Sequence, residues 1–357
     1  MIQKFDVKSR ETLDKIKTYI PGMPIWEVKK LYGLSSVVKL ASNENPLGPS
    51  PKVIQAIHSS LAELHRYPDS KLDLSQNQLI VTNGGDELIK LLSETFLEPE
   101  DEIVLPSPTF SEYEFGADLM GAVIKSVPFD DEYRFDISAI LSALSERTKL
   151  VYICSPNNPT GTYLPREDLK RLLDQLPDGI LVVLDSAYSH YATAEDFTNG
   201  VEFVRLGYPI VVLQTFSKIY ALAGIRVGFG AAPENVIQKI LKVKEPFNVN
   251  ALAQVAATAA LEDHEHFQKS LLENSIGREQ LYKAFEELRI PFTESMANFI
   301  LAEVGPNAEL IYNALLKRGV IVRYGATFGL PNHIRFSIGA VRENEFLIQT
   351  LREVMYS

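Results

Sequence analysis

Short apolar runs alternate with segments of helical period between residues 78 and 230, and this alternation constrains the fold more than any other feature. The runs that predict strands are Gln78–Val81, Glu102–Leu105, Ala122–Val127, Leu150–Cys154, Ile180–Leu184 and Ile210–Leu213. Intervening segments such as Asp86–Phe96 and Arg166–Leu176 have the spacing of amphipathic helices. Strands that alternate with helices favour an α/β fold with a largely parallel sheet covered on both faces.

The C-terminal part of the chain has a different pattern, and 357 residues are many for a single core. A long helical pattern runs from Asn250 to Leu288. The remainder predicts a smaller α+β unit with a strand near Asn298–Val304, a helix at Asn307–Arg318, strands at Val320–Arg323 and His333–Ile338, and a last helix. We therefore predict a large domain over residues 46–250, a small α+β domain over 251–357, and an N-terminal segment, 1–45, that packs on the small domain.

The composition limits the partners and the compartment of the protein. A formal net charge of −11 argues against a general nucleic-acid or anionic-membrane binder. The single cysteine, Cys154, excludes an internal disulfide and fits a reducing compartment. The first fifteen residues, MIQKFDVKSRETLDK, are too charged for a signal peptide, and the uncharged stretch Pro246–Leu261 predicts a buried helix rather than a membrane span. We expect a cytoplasmic protein that binds neither nucleic acid nor membrane.

Polar groups follow three of the predicted strands at their carboxyl ends. LVYIC runs into SPNNPTG, ILVVL into DSAY, and IVVLQ into TFSK. Because ligands of open α/β sheets bind beyond the carboxyl ends of the strands, these groups are expected to converge on one site. The turn NGGDE at 83–87 follows another strand and opens a helix, where glycines let an anion approach the free N–H groups.

Together these motifs indicate a bound anion, a buried carboxylate at Asp185 and a lysine at Lys218. Each motif alone also has a structural explanation: a turn, a helix cap, or a lysine whose ammonium reaches solvent. Their occurrence at successive strand ends favours a shared site.

The order NGGDE, PTF, NNPTG, DSAY, TFSK and GIRVGFG resembles the fold-type I aminotransferases, which use pyridoxal 5'-phosphate (PLP). The resemblance covers nearly the whole chain. It implies a large domain with a mostly parallel seven-stranded sheet, a smaller α+β domain, and a homodimer with shared active sites.

Three further stretches, YIPGMP (19–24), KLASNENPLGPSP (39–51) and RYPD (66–69), resemble the histidinol-phosphate aminotransferases in particular. That group converts L-histidinol phosphate and 2-oxoglutarate to imidazole acetol phosphate and glutamate in histidine biosynthesis. An aromatic amino-acid aminotransferase, a threonine-phosphate decarboxylase and a non-catalytic ligand-binding protein on the same fold stay open as alternatives. Where this group carries a further helical segment after RYPD, the chain has only SKLDLS (70–75).

The resemblance also implies roles for individual residues. Lys218 would bind PLP covalently and act as general base and acid, and Asp185 would pair with the protonated ring nitrogen. The other residues implied to hold the cofactor are Asn158 and Tyr188 at the ring oxygen and Phe110 on the ring face. The residues implied at the phosphate are Gly85, Asp86, Thr215, Ser217 and Arg226, together with Tyr67 from the neighbouring subunit.

The substrate residues implied by the resemblance centre on two arginines. Arg335 in HIRFSIG matches the arginine that holds the anionic group of the substrate, and Arg323 at the end of VIVR adds a second guanidinium. Tyr19 and Asn158 would complete a pocket suited to a phosphate monoester, since guanidinium groups bind phosphate in a fixed geometry, and Asn43 would line its entrance. Surface salt bridges are the alternative explanation for the arginines. No metal site is expected.

Overall fold

The computed structural model describes residues 8–16, 22–68 and 77–356. The strands within these ranges are β1 (Val38–Lys39), β2 (Leu79–Thr82), β3 (Glu102–Ser107), β4 (Val123–Pro128), β5 (Thr148–Cys154), β6 (Leu181–Asp185), β7 (Ile210–Thr215), β8 (Gly228–Ala231), β9 (Phe299–Glu303), β10 (Val320–Ile321), β11 (Arg323–Tyr324) and β12 (His333–Ser337). The α-helices within them are α1 (Ile25–Tyr32), α2 (Pro51–Ser60), α3 (Gly85–Phe96), α4 (Glu112–Met120), α5 (Ile137–Ala143), α6 (Arg166–Asp174), α7 (Val201–Arg205), α8 (Glu234–Ile240), α9 (Ala251–Leu261), α10 (His264–Leu288), α11 (Ala308–Lys317) and α12 (Val341–Tyr356).

Seven strands form the larger sheet in the order β2-β8-β7-β6-β5-β3-β4. Strands β3 to β7 pair in parallel, and β8 is antiparallel to both of its neighbours, β7 and β2. The prediction of a mostly parallel seven-stranded α/β sheet is therefore confirmed. Strand β8 was not among the predicted strands, because its sequence GFGA lacks the β-branched residues that mark the others.

The central strands are buried on both faces, as their continuous apolar sequences require. Every residue of β6 and β7 is buried. Alternate side chains belong to two separate apolar layers: Val183 and Val211 pack in one layer, and Val182 and Val212 in the other. Burial of each such side chain contributes about 1.5–3 kcal/mol, so the two layers hold the strand ends at one edge of the sheet in a fixed arrangement.

A second, three-stranded antiparallel sheet has the order β11-β12-β9. Its buried side chains, such as Phe336, share an apolar core with Phe285 of α10, Leu347 of α12 and Leu40. Strand β1 pairs in parallel with β10, so the segment around residues 38–40 lies against this second unit. The division of the chain at residues 45/46 and 250/251 stays a prediction.

Two predicted elements are each divided into two in the structure. The helical pattern from Asn250 to Leu288 is broken after α9, because the side chain of Asp263 accepts a hydrogen bond from the His266 backbone N–H and begins α10 as an N-cap. The stretch Val320–Arg323 forms parts of two strands in different sheets, with β10 on β1 and β11 on β12.

The prediction of a buried helix over Pro246–Leu261 was wrong in extent. Helix α9 begins at Ala251, where the Asn250 side chain accepts a hydrogen bond from the backbone N–H of Ala253, and it buries only its alanine face. Leu261 at its end is 52% exposed. Across the described ranges, no helix has both the length and the apolar composition needed to cross a bilayer.

Candidate active site

A cavity of about 790 Å³ lies at the carboxyl ends of the parallel strands and reaches the second sheet. Its volume is within the range of small-molecule sites. The predicted site residues that line it are Asn43, Gly85, Asp86, Phe110, Asn158, Asp185, Tyr188, Thr215, Ser217, Lys218, Arg226, Arg323 and Arg335. Tyr67 lies elsewhere: its side chain is 82% exposed and its ring stacks on Phe247. Tyr19 lies outside the described residues, as does the short segment 70–75.

Lys218 follows β7 and extends into the cavity. Its Nζ donates a hydrogen bond to the Ser42 backbone oxygen at 3.4 Å and lies 5.6 Å from the centre of the Tyr188 ring. Burial, together with the nearby positive charge of Arg335, lowers the pKa of Lys218 to about 8. A substantial fraction of the amine is therefore neutral, and able to act as a nucleophile or base, slightly above neutral pH.

Asp185 is the last residue of β6, and only 5% of it is exposed. Its Oδ2 accepts a 2.6 Å hydrogen bond from the Tyr113 hydroxyl, and its Oδ1 accepts one from the Ala187 backbone N–H at 3.0 Å. Burial raises the pKa of this carboxyl, and the two hydrogen bonds oppose that rise. No sequence motif marks Tyr113, which lies three residues after Phe110 in PTFSEY.

The turn before α3 and the Arg226 side chain form a small recess of the cavity. Gly84 has a positive φ of 84°, and a Cβ at this position would lie 2.5 Å from the Arg226 guanidinium. Gly85 and Asp86 begin α3, at positions whose backbone N–H groups have no partner within a helix. The guanidinium of Arg226 donates to Asp86 Oδ2 at 2.9 Å. Free N–H groups, a helix N-terminus and an arginine are the features that bind a phosphate.

Two hydroxyl groups complete this recess. Thr215, at the end of β7, and Ser217 are both buried, and the Thr215 hydroxyl donates to Ser217 Oγ at 3.0 Å. The Ser217 backbone N–H donates to Thr215 Oγ1 at 3.1 Å, which fixes the turn between them. Both residues line the same cavity as Arg226.

Two arginines from neighbouring strands form the opposite end of the cavity. Arg323 and Arg335 are direct cross-strand partners of β11 and β12. The Phe328 ring lies 6.0 Å from the Arg323 guanidinium carbon and 5.4 Å from that of Arg335. Like charges placed directly opposite each other destabilise a sheet, so this pair is suited to binding an anion. Phe328 lies in TFG (327–329), five residues after Arg323, and its contact with both arginines is not predicted by the sequence.

Buried amide groups connect the arginine end to the lysine end. Arg335 donates one hydrogen bond to Asn158 Oδ1 and another, of 2.6 Å, to the Ala41 backbone oxygen. Asn43 donates from its side-chain amide to the Tyr188 hydroxyl at 3.0 Å. Because each contact joins different elements, the polar groups of the cavity are fixed relative to one another.

The chain matches the family described as aminotransferase class I and II over residues 35–351. It belongs to this family. Histidinol-phosphate aminotransferase of Moorella thermoacetica is 46% identical over 360 residues, which cover 98% of this chain and 93% of the relative. The enzyme of the same name from Caldicellulosiruptor saccharolyticus is 40% identical over 357 residues, covering 97% and 99%.

The class I and II aminotransferase fold also appears in solved structures. Histidinol-phosphate aminotransferase from Sinorhizobium meliloti, in complex with pyridoxal-5'-phosphate, superposes with a TM-score of 0.90 at 24% identity and covers 100% of this chain and 99% of its own. This comparison shows a shared fold over the full length, in agreement with fold type I.

Proposed function

We propose that this aminotransferase uses PLP to convert L-histidinol phosphate and 2-oxoglutarate to imidazole acetol phosphate and glutamate in histidine biosynthesis. The observation that carries the proposal is the placement of Lys218, Asp185 and the Arg323–Arg335 pair around one cavity. The curated relatives of the chain that bear the name histidinol-phosphate aminotransferase support the choice of substrate.

The described residues fit the three chemical features of PLP. Lys218 offers a buried amine of lowered pKa to the aldehyde, Asp185 offers an oriented carboxylate to the ring nitrogen, and the recess at Gly84–Asp86 with Arg226 suits the phosphate. When bound, PLP supplies an electron sink for the pair released at the substrate α-carbon. An ion pair between Asp185 and a ring cation about 4 Å away is worth roughly 4 kcal/mol before desolvation, at an effective dielectric constant near 20.

Other steps, proton transfer and orientation of the cofactor ring, are assigned to different side chains. Lys218 moves a proton at the substrate α-carbon as general base and then as general acid, which its lowered pKa favours near neutral pH. Phe110, Asn158 and Tyr188 line the cavity and orient the cofactor ring.

The arginine pair explains how one pocket accepts two different substrates in turn. The phosphate of histidinol phosphate and a carboxylate of 2-oxoglutarate are both anions that Arg323 and Arg335 can bind bidentately. Asn43 lies beside them through its contacts with Tyr188 and with Ser337 of β12. Alternating use of one anion site is expected to give ping-pong kinetics.

The proposal includes a homodimer with shared active sites in the cytoplasm. Tyr67 is exposed and stacked on Phe247, so its ring is available to a second copy of the chain. Other large apolar side chains exposed on the same subunit are Leu61, Leu64, Leu241 and Leu261. Exposed apolar surface of this kind is typical of subunit interfaces.

A substrate panel with the purified, PLP-loaded protein tests the proposal. We expect histidinol phosphate to convert the cofactor to its amine form in a half-reaction, and 2-oxoglutarate to reverse the change. Lys218→Ala should lose the visible absorbance of the covalently bound cofactor and turnover together. Faster conversion by phenylalanine, or carbon dioxide release from threonine phosphate, would instead support one of the alternative functions.

A further inference from the structure

Tyr113 lies in the first turn of α4, and its side chain is fully buried. Its hydroxyl donates to Asp185 Oδ2 at 2.6 Å, while the backbone N–H of Ala187 donates to Oδ1 at 3.0 Å. The two carboxylate oxygens are thus held by donors from two different parts of the fold. The orientation of the carboxylate is fixed before any ligand binds.

Neighbouring rings keep the Tyr113 hydroxyl directed at Asp185. Tyr113 stacks on Tyr152 of β5 with ring centres 4.7 Å apart and planes inclined by 15°. The ring of Phe110 meets Tyr113 edge-on, with centres 5.7 Å apart and planes at 83°. Stacked and edge-on arrangements are the favoured geometries of aromatic pairs, so the hydroxyl cannot turn away without breaking both contacts.

The ionisation of Asp185 depends on a balance of opposing influences. Burial is the largest and raises its pKa, because the charged carboxylate loses its hydration. The hydrogen bonds from Tyr113 and Ala187 lower the pKa, as does the charge of Lys218, whereas the charge of Asp86 raises it. Cys154 lies opposite Asp185 on β5, and burial raises the pKa of its thiol, so it stays neutral.

Tyr113 remains a hydrogen-bond donor over the whole neutral range. Burial and the nearby charge of Asp185 raise the pKa of Tyr113 well above its ordinary value. Its hydroxyl proton is therefore always present to stabilise the ionised form of Asp185 over the neutral form.

We propose that Tyr113 is a positioning residue for the transamination, which holds Asp185 ionised and oriented for a cationic ring nitrogen of the cofactor. The inference rests on the proposed function, because it requires PLP in the cavity. It assigns to Tyr113 an action through Asp185 rather than through contact with the substrate.

The variant Tyr113→Phe tests this role in the PLP-loaded protein, because phenylalanine keeps the ring and removes only the hydroxyl. We expect its PLP affinity to fall by about tenfold or more at pH 6, the effect of losing a hydrogen bond to a charged group. The loss should be smaller at pH 8, because Asp185 without Tyr113 has a higher pKa and is ionised again as pH rises. Nitrogen-15 NMR of labelled PLP should show a shift of the ring nitrogen toward its neutral form.

Tyr152→Phe is the matched control, since it removes a buried hydroxyl from the same aromatic stack while Asp185 keeps its bond from Tyr113. It should retain the affinity and the nitrogen signal of the wild type. Circular dichroism of the three proteins should be the same. Equal effects of Tyr113→Phe and Tyr152→Phe would overturn the inference, because they would indicate a role in packing alone.

The background variant Asp185→Asn shows whether Tyr113 acts through Asp185. In that background, Tyr113→Phe should change the PLP affinity by less than about twofold, since the charge to be stabilised is gone. An undiminished loss there would refute the inference. If the wild type binds PLP and Tyr113→Phe behaves identically, only this inference fails; if the wild type does not bind PLP, the proposed function fails as well.

Discussion

Replacing Lys218 by methionine is expected to stabilise the cofactor-free protein at neutral pH. Burial and the charge of Arg335 lower the pKa of Lys218 from 10.5 to about 8, so the folded state resists protonation of this amine. Below pH 8 the lysine is protonated in both the folded and the unfolded state, and the folded state bears the full free-energy cost of burying the ammonium. Above pH 10.5 both are neutral and the cost disappears.

The size of the effect follows from the pKa difference. A pKa lowered from 10.5 to about 8 means that Lys218 reduces the free energy of unfolding by roughly 3 kcal/mol at pH 7. The reduction is less than about 1 kcal/mol at pH 10. Methionine is apolar and of similar length, so it adds a pH-independent gain from packing. The decisive quantity is therefore the difference in stability between variant and wild type, compared at the two pH values.

Urea unfolding of cofactor-free wild type and Lys218→Met, followed by fluorescence at pH 7 and pH 10, measures this quantity. The advantage of the variant should shrink by roughly 2 kcal/mol between the two pH values. Lys90→Met serves as control, because the Lys90 side chain lies on α3 and is 58% exposed. An advantage of equal size at both pH values would show that the Lys218 ammonium is not desolvated in the fold.

The remaining predictions concern a buried ion pair, a close backbone contact and the arginine that we propose binds substrate. Burial alone would raise the pKa of Glu102, but hydrogen bonds from Lys125 and Ser145 and the charges of Lys125 and Arg147 hold it at about 2. The wild type should therefore lose stability as pH falls from 4.5 toward 2, and thermal melts of Glu102→Gln should show a flatter dependence over that window. Gly228→Ala would place a Cβ 2.8 Å from the Gln214 backbone oxygen and 3.0 Å from the Gly84 carbonyl carbon. It should lower the free energy of unfolding in urea by about 1–3 kcal/mol. Gly224→Ala is the control and should be nearly neutral, because no atom lies within 4 Å of a Cβ at that position. Arg335→Lys should raise KM for both substrates by about tenfold or more, since lysine keeps the charge but not the planar guanidinium. The visible absorbance of the cofactor should be unchanged. A matching loss of bound cofactor would contradict the separate roles of the two ends of the cavity.

The sequence was informative wherever the fold demands an unusual residue pattern. The central parallel strands must be apolar along their whole length, and six of the seven strands of the larger sheet were therefore visible as apolar runs. Lys218 and Asp185 stood out because charged groups at or just beyond the ends of such strands need a reason. The glycines at 84–85 were visible because few other residues permit that turn.

The features that stayed hidden depend on distant partners. Strand β8 consists mostly of glycine and alanine and is a strand only because β2 and β7 lie on either side of it. Tyr113 carries no motif of its own, and the sequence does not show that Phe328 contacts two arginines; their importance comes from Asp185 and from the pairing of Arg323 with Arg335. Apart from Gln254 and Thr258, helix α9 is apolar on all sides, so its exposed side could not be read from periodicity.

The position of β8 has a consequence for biosynthesis of the chain. Among the strands that the structure describes, β2 pairs with β8 alone, and β8 emerges from the ribosome long after it. The turn at Gly84, which follows β2, therefore cannot pack against the Arg226 guanidinium until residues 226–231 have been synthesised. A ribosome stalled before that point would display a partly assembled sheet whose edge is β7, with an open row of N–H and C=O groups. Truncated chains ending near residue 220 should therefore aggregate, while chains extended past β8 should not expose that edge.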